Sequence, residues 1–345
     1  MTVAPAAFRE RDANCIHIGL VNNMVGSALQ ATERQFCSLL EAAAENTVVR
    51  VSFYALPEIP QPNECARRVR NVYSSINDLW NTHLDGLIVT GTEPRVPLRD
   101  EPYWGNLARL VDWAGQNTWS SIWSCLAAQA AVARLDGIER QPLASKRFGI
   151  FETRKVANTL LTTGLATAFP DRMRLPHSRW NGIPNHALKA CGYHPLTESE
   201  DEGADVFVKQ RKSLFVFFQG HPEYEADTLL LEYRRDVRRF LRRERDAYPH
   251  IPQGYIDEHA AGLLTAIRER ALADRREELL ADFPFARLAA GLTNAWRPAS
   301  VAFYRNWLRY LCARKKASPF SGSRHIPGPL LRAAGNGGHR ADRDR

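Results

Sequence analysis

The chain has 345 residues, 44% of them apolar, with a formal charge of +8, and that length buries a sizeable core in one large or two small domains. Every apolar run is shorter than the about 18 to 20 residues that span a bilayer, and MTVAPAAFRERDANC lacks the basic, apolar and cleavage regions of a secretory leader, so a cytoplasmic protein without membrane contact is expected. Over 314–345, eight Lys or Arg stand against two Asp, which places a net +6 in a tail rich in Gly, Pro, Ser and Arg; no recognition motif accompanies that charge, so nucleic acid is not an expected partner.

The first 140 residues alternate short apolar runs with stretches of helical period. CIHIGLVNNM (15–24) reads as a buried strand, and a helix follows over 31–44, where Phe36, Leu39 and Leu40 recur at helical spacing. VVRVSFYAL is a second strand ending at Leu56 before the break PEIPQP, and 64–76 suits a second helix. LDGLIVTG is a third strand ending on Gly91; then come a helix over 103–116, a fourth strand at 120–124 and a helix over 126–135. This alternation predicts an α/β fold with a doubly wound, mainly parallel sheet flanked by helices. Such sheets bind ligands beyond the carboxyl ends of their strands, which is where Asn22, Asn23 and Met24, the loop GTEPR (91–95) and Cys125 fall.

The second half is less regular. Strands are expected at 148–156 and 214–219, with 206–209 as hairpin partner of the latter, and extra C-terminal helices at 225–243, 257–281 and 302–314. The expected organisation is a single domain over 1–313: a core α/β half (15–140), a second half (141–250) and a helical region (251–313), followed by a disordered basic tail over 314–345.

Six cysteines, Cys15, Cys37, Cys65, Cys125, Cys191 and Cys312, form neither a CxxC pair nor zinc spacing, so no metal site is indicated. Cys125 differs from the rest because SSIWS passes directly into the helix-forming LAAQAAVARL. A sharp turn at a helix N-terminus favours the thiolate and lets the Leu126 N–H face an oxyanion. The same position also fits a core cysteine that closes a strand. In FFQGHPEYEADTLLLEYRRD (217–236), His221 and Glu223 are two residues apart and leave extended backbone on one side, so the carboxylate can hold the imidazole that activates a thiol or hydroxyl. A turn histidine and a helix-start acid fit the pair equally. Glu232 and Arg235 share a helix face, either as an exposed ion pair or with Arg235 as a clamp for a substrate carboxylate.

Taken in this order, the residues resemble the class I glutamine amidotransferase-like (flavodoxin-like) fold, and more closely its homoserine O-succinyltransferase branch. The similar stretches are ATERQF, LDGLIVTG, EPYW (101–104), CLAAQAAVARLDGI, LPHSRW, NWLRYL and, most specifically, GHPEYEADTLLLEYRRD. The resemblance implies an acyltransferase of methionine biosynthesis with no permanently bound cofactor. Cys125 would take an acyl group from succinyl-CoA, His221 would act as base for the homoserine hydroxyl, and Glu223 would orient His221. It also implies substrate contacts at Lys146, Ser178 and Arg235, with Glu232 in support. Acetyl-CoA as donor and serine as acceptor are the alternatives within this chemistry. A glutamine amidotransferase-type amidase is disfavoured because Trp123 and Ala127 stand where a GxCxG elbow has glycines, and a non-catalytic binding member is disfavoured by the presence of all three reactive side chains.

Three departures matter. NNMVGSALQATE lacks the lysine that the family carries after the first strand, so another group neutralises charge at that corner or the donor differs. Arg95 falls near the position that separates succinyl from acetyl users, and a cation there suits a free succinyl carboxylate; Glu93, two residues away, suits it less. The segment 257–281 reads as an insertion whose alternating charges fit a solvated face or a subunit contact in a homodimer.

Overall fold

The strands of the first half are apolar nearly throughout because both faces of the sheet are covered. In the computed structural model, which describes residues 15–156, 163–167, 169–317 and 330–331, these are β1 (Cys15–Val21), β2 (Val48–Tyr54), β3 (Gly86–Val89) and β4 (Ser120–Ser124). They alternate with helices α1 (Ser27–Ala43), α2 (Asn63–Val72) and α3 (Trp104–Asn117), and α4 (Leu126–Asp136) follows β4. The strands run parallel in the order β2-β1-β3-β4, and β9 (Leu214–Phe218) joins β4 in parallel. The reversal of strand order between β1 and β3 opens a crevice at their carboxyl ends.

Beyond β9 the sheet turns antiparallel through β8 (Gly203–Gln210), β7 (His194–Ser199), β5 (Gln141–Lys155) and β6 (Arg172–Gly182). The doubly wound reading therefore describes the parallel half, and an antiparallel wing extends it. β5 begins seven residues before the expected 148, and β6 and β7 were not expected at all. QPLASKR and RMRLPHSRWNG carry too few apolar side chains to mark a strand, although β6 buries alternate residues such as Met173 and Leu175. Gly149 lets the main chain of Gln253 reach β5: its φ is +142°, and a Cβ there would lie 2.2 Å from the Gln253 carbonyl oxygen.

Three longer helices follow β9, α5 (Thr228–Leu241), α6 (Glu258–Ala273) and α7 (Arg297–Ala317), and short ones lie elsewhere in the described chain. The helix expected over 257–281 stops at Ala273 and resumes as a 3-10 turn, Glu277–Asp282. It is not solvated all round, since Leu264, Ile267 and Ala271 enter the same core as α1 and α7. The α7 helix lies under the parallel strands, where Trp307 Nε1 donates to Ser120 Oγ (2.9 Å) and Lys315 Nζ reaches Asp85 (2.9 Å) and the Cys15 carbonyl (2.8 Å). The tail expected from 314 thus begins inside a helix, and apart from Leu330 and Leu331, which pair with β2, it lies outside the described residues. No helix among the described residues is long and apolar enough to cross a membrane.

Candidate active site

Cys125 occupies the junction between β4 and α4 with φ +52° and ψ −115°, a backbone that L residues rarely hold and that persists only when its surroundings enforce it. Its N–H donates to the Phe218 carbonyl at 2.8 Å, which ties the turn to β9, and its carbonyl accepts from Gln129 N (3.2 Å) to start the helix. Leu126 to Ala133 are all buried, so α4 is fixed on every side. Gly91 admits the elbow from the β3 side: a Cβ there would lie 2.7 Å from Leu126 Cβ and 3.1 Å from Leu126 N.

β9 delivers the second half of the site. After Phe218 the chain turns through His221, whose N–H donates to the Pro176 carbonyl of β6 (2.8 Å). His221 Nδ1 meets Glu223 Oε1 at 2.8 Å, and Ser124 Oγ donates to the same oxygen at 3.4 Å. The imidazole is close enough to the Cys125 sulfur to act on it electrostatically and stacks on Tyr224, ring centroids 4.2 Å apart. Burial opposes charge on His221, but the Glu223 carboxylate and then the Cys125 sulfur outweigh it and hold the imidazole well above its ordinary pKa. Asn294 Nδ2 (3.1 Å) and Trp296 Nε1 (2.7 Å) both donate to the Tyr224 carbonyl, so the C-terminal region pins the turn that carries the base.

The remaining expected residues meet on α5. Glu232 accepts from Ser178 Oγ (2.6 Å) and from the Tyr224 hydroxyl, and lies 3.8 Å from Arg235. Asp236, almost fully buried, binds Lys146 Nζ at 2.9 Å and Arg235 at 3.1 Å. Lys146, Ser178, Glu232 and Arg235 are thus one network, but Lys146 and Ser178 reach it by contacting acids on α5. Burial pushes the Asp236 carboxyl up, and Lys146 and Arg235 more than reverse this, leaving it below the usual carboxylate range. A depressed folded pKa stabilises the fold above the unfolded value of about 3.9 and is lost as pH falls through the folded one. Asp236→Asn is therefore expected to flatten the acid limb of urea stability below about pH 4, at a cost near neutrality of about 3 kcal/mol; an unchanged limb would show that the pair is not formed.

Glu93 is bound to Arg239 (2.9 Å) and Arg245 (3.1 Å) and lies within electrostatic reach of Arg235. Arg95 is exposed, and its backbone N–H donates to Glu101. At the corner where the lysine is missing, Arg68 is the nearby cation, and it is locked to the buried Glu33, which also accepts from Tyr73 (2.7 Å). Asn23 stitches that corner together, with its N–H donating to Thr90 Oγ1 (2.8 Å) and its Oδ1 accepting from Leu56 N (3.3 Å).

The sequence reading missed a second buried polar group behind the elbow. His177 and Asp205 face each other at 3.4 Å, and Arg179 donates to the Asn181 carbonyl (2.8 Å). Burial first, then the neighbouring arginines, lower the His177 pKa against the pull of Asp205, so this histidine is neutral. LPHSRW was the available signal, and only its serine had been assigned.

A strained cysteine between strand and helix, near an imidazole that a carboxylate holds, is an arrangement able to support acyl transfer on an α/β fold. A profile of the homoserine O-succinyltransferase family matches residues 1–318. The chain is 44% identical over 316 residues to a homoserine O-succinyltransferase of Rhodopseudomonas palustris, covering 89% of this chain and 94% of that protein. It is also 44% identical over 313 residues to one of Bradyrhizobium japonicum, covering 90% and 94%. Among solved structures, a glutamine amidotransferase from Methylobacillus flagellatus aligns at TM-score 0.48 and 16% identity, covering 86% of this chain and 95% of that one, a likeness without functional weight. The chain belongs to the homoserine O-succinyltransferase family.

Proposed function

We propose that the protein moves a succinyl group from succinyl-CoA to the hydroxyl of L-homoserine through a thioester on Cys125, a step of methionine biosynthesis. The observation that carries this reading is the elbow geometry of Cys125, whose sulfur lies in electrostatic reach of an imidazole that Glu223 holds at 2.8 Å. The thiolate attacks the donor carbonyl while the Leu126 N–H donates to the oxyanion. His221 gives its proton to the departing CoA sulfur, then takes one from the homoserine hydroxyl as that oxygen attacks the acyl-enzyme. Glu223 accepts from Nδ1, which leaves Nε2 for these transfers. Thioester exchange is nearly isoenergetic, so the base is needed mainly for the second half.

Arg235 is the residue for the homoserine carboxylate and Glu232 for its ammonium. Ser178 and Tyr224 hold Glu232, and Lys146 holds Asp236 beside Arg235. The test is acceptor-free incubation with succinyl-CoA or acetyl-CoA and intact-mass analysis, followed by homoserine or serine. A succinyl adduct on Cys125, discharged by homoserine, is expected; acetyl as the faster adduct, or release by serine alone, would replace one substrate. Iodoacetamide at neutral pH should label Cys125 ahead of Cys37, whose thiol burial pushes up to about 11.

A further inference from the structure

A succinyl donor differs from an acetyl donor by a carboxylate two methylenes beyond the reacting carbonyl, and an enzyme that takes it needs a cation near the nucleophile that is not already spent on a protein acid. Arg95 and Arg68 do not qualify, one being exposed and the other bound to Glu33. Arg140 does.

Gln129 stands one helical turn, about 6 Å, beyond Cys125 on α4. Its side chain is buried, and its Oε1 accepts from Arg140 Nη1 (3.4 Å) while its Nε2 donates to the Asn181 carbonyl (3.1 Å). The guanidinium is thus anchored along the first turn of the nucleophile helix. It is half-buried, and no carboxylate lies within ion-pair distance of it among the described residues. The acid of the adjoining loop, Glu101, is occupied by the backbone N–H groups of Arg95 and Val96. Tyr103, Cys125, Glu101 and Glu139 are the titratable groups within electrostatic reach of Arg140, and Glu139 is taken up by Arg99. Tyr103 is 5% exposed, and its hydroxyl finds no hydrogen-bond partner among the described residues. Two donors therefore stand beside the elbow, neither bound to a carboxylate among the described residues, a costly arrangement unless a ligand receives them.

Resting on the reading of Cys125 as acyl carrier, we infer that Arg140 and Tyr103 grip the free carboxylate of the succinyl group and select the donor. The guanidinium supplies a planar, permanently charged donor pair and the phenol a third hydrogen bond. An acetyl group ends short of both.

The experiment compares succinyl-CoA with butyryl-CoA, which has the same chain length and no carboxylate, by the rate at which the acyl-enzyme forms without acceptor. Arg140→Met is expected to slow succinylation by about 100-fold and leave butyrylation within about 2-fold, since only the charge contact is lost. Tyr103→Phe should slow succinylation alone, by about 10-fold. Butyrylation doubles as the control for folding in each variant. An equal loss with both donors would place Arg140 on the CoA moiety or in the scaffold and overturn the proposal, as would no loss, or loss of discrimination in Arg95→Met instead. No adduct from either donor in the unaltered enzyme overturns the thioester reading itself.

Discussion

Cys125→Ala is expected to yield no acyl-enzyme and to lower turnover by at least about 10⁴-fold, and His221→Gln to come close to the same loss, because nucleophile and base act as a unit. Combining the two should add little. The pH dependence gives the finer test. Burial works against the charged imidazole and the Glu223 carboxylate is its largest support, so the resting His221 stays protonated through neutrality. Its raised pKa puts the alkaline limb of acylation, where the proton for the leaving sulfur is lost, well above the ordinary histidine range. In Glu223→Gln burial prevails and that limb should move down. An alkaline limb that stays in place in Glu223→Gln would remove Glu223 from its role.

Arg235→Ala should separate the two half-reactions. Acceptor use is expected to fall by about 10²- to 10³-fold, the scale for truncating one partner of a desolvated charge pair, while acylation by succinyl-CoA changes little. Arg235 reaches Asp236 at 3.1 Å and Glu232 at 3.8 Å, so a purely structural role would loosen α5 and slow both steps together. Equal loss in both half-reactions would therefore contradict the clamp.

The parallel half was legible because burial on both faces leaves unbroken apolar runs, and β4 starts and ends where SSIWS does. The elbow was legible for a related reason: no turn residue separates that run from LAAQAAVARL, so whatever stands between them must bend sharply, and Cys125 does. The antiparallel wing was opaque. β6 is half exposed and polar, and its pairing with β5 joins residues such as Ser178 and Phe148 that no local pattern connects. That opacity reached the site as well. Glu232 and Arg235 could be read as a helix pair, but the hydroxyls of Ser178 and Tyr224 on Glu232 come from elsewhere in the chain. Arg140 was hidden too, since its interest lies in having an amide and no carboxylate as partner among the described residues, and a sequence lists residues without saying which are left over.

The donors that pin Tyr224, Asn294 and Trp296, come late in the chain, and α7 beneath the strands comes later still. On the ribosome, Cys125 emerges first, His221 well after it, and the residues that steady the histidine turn later again. An unfinished chain therefore presents a thiol without a fixed base.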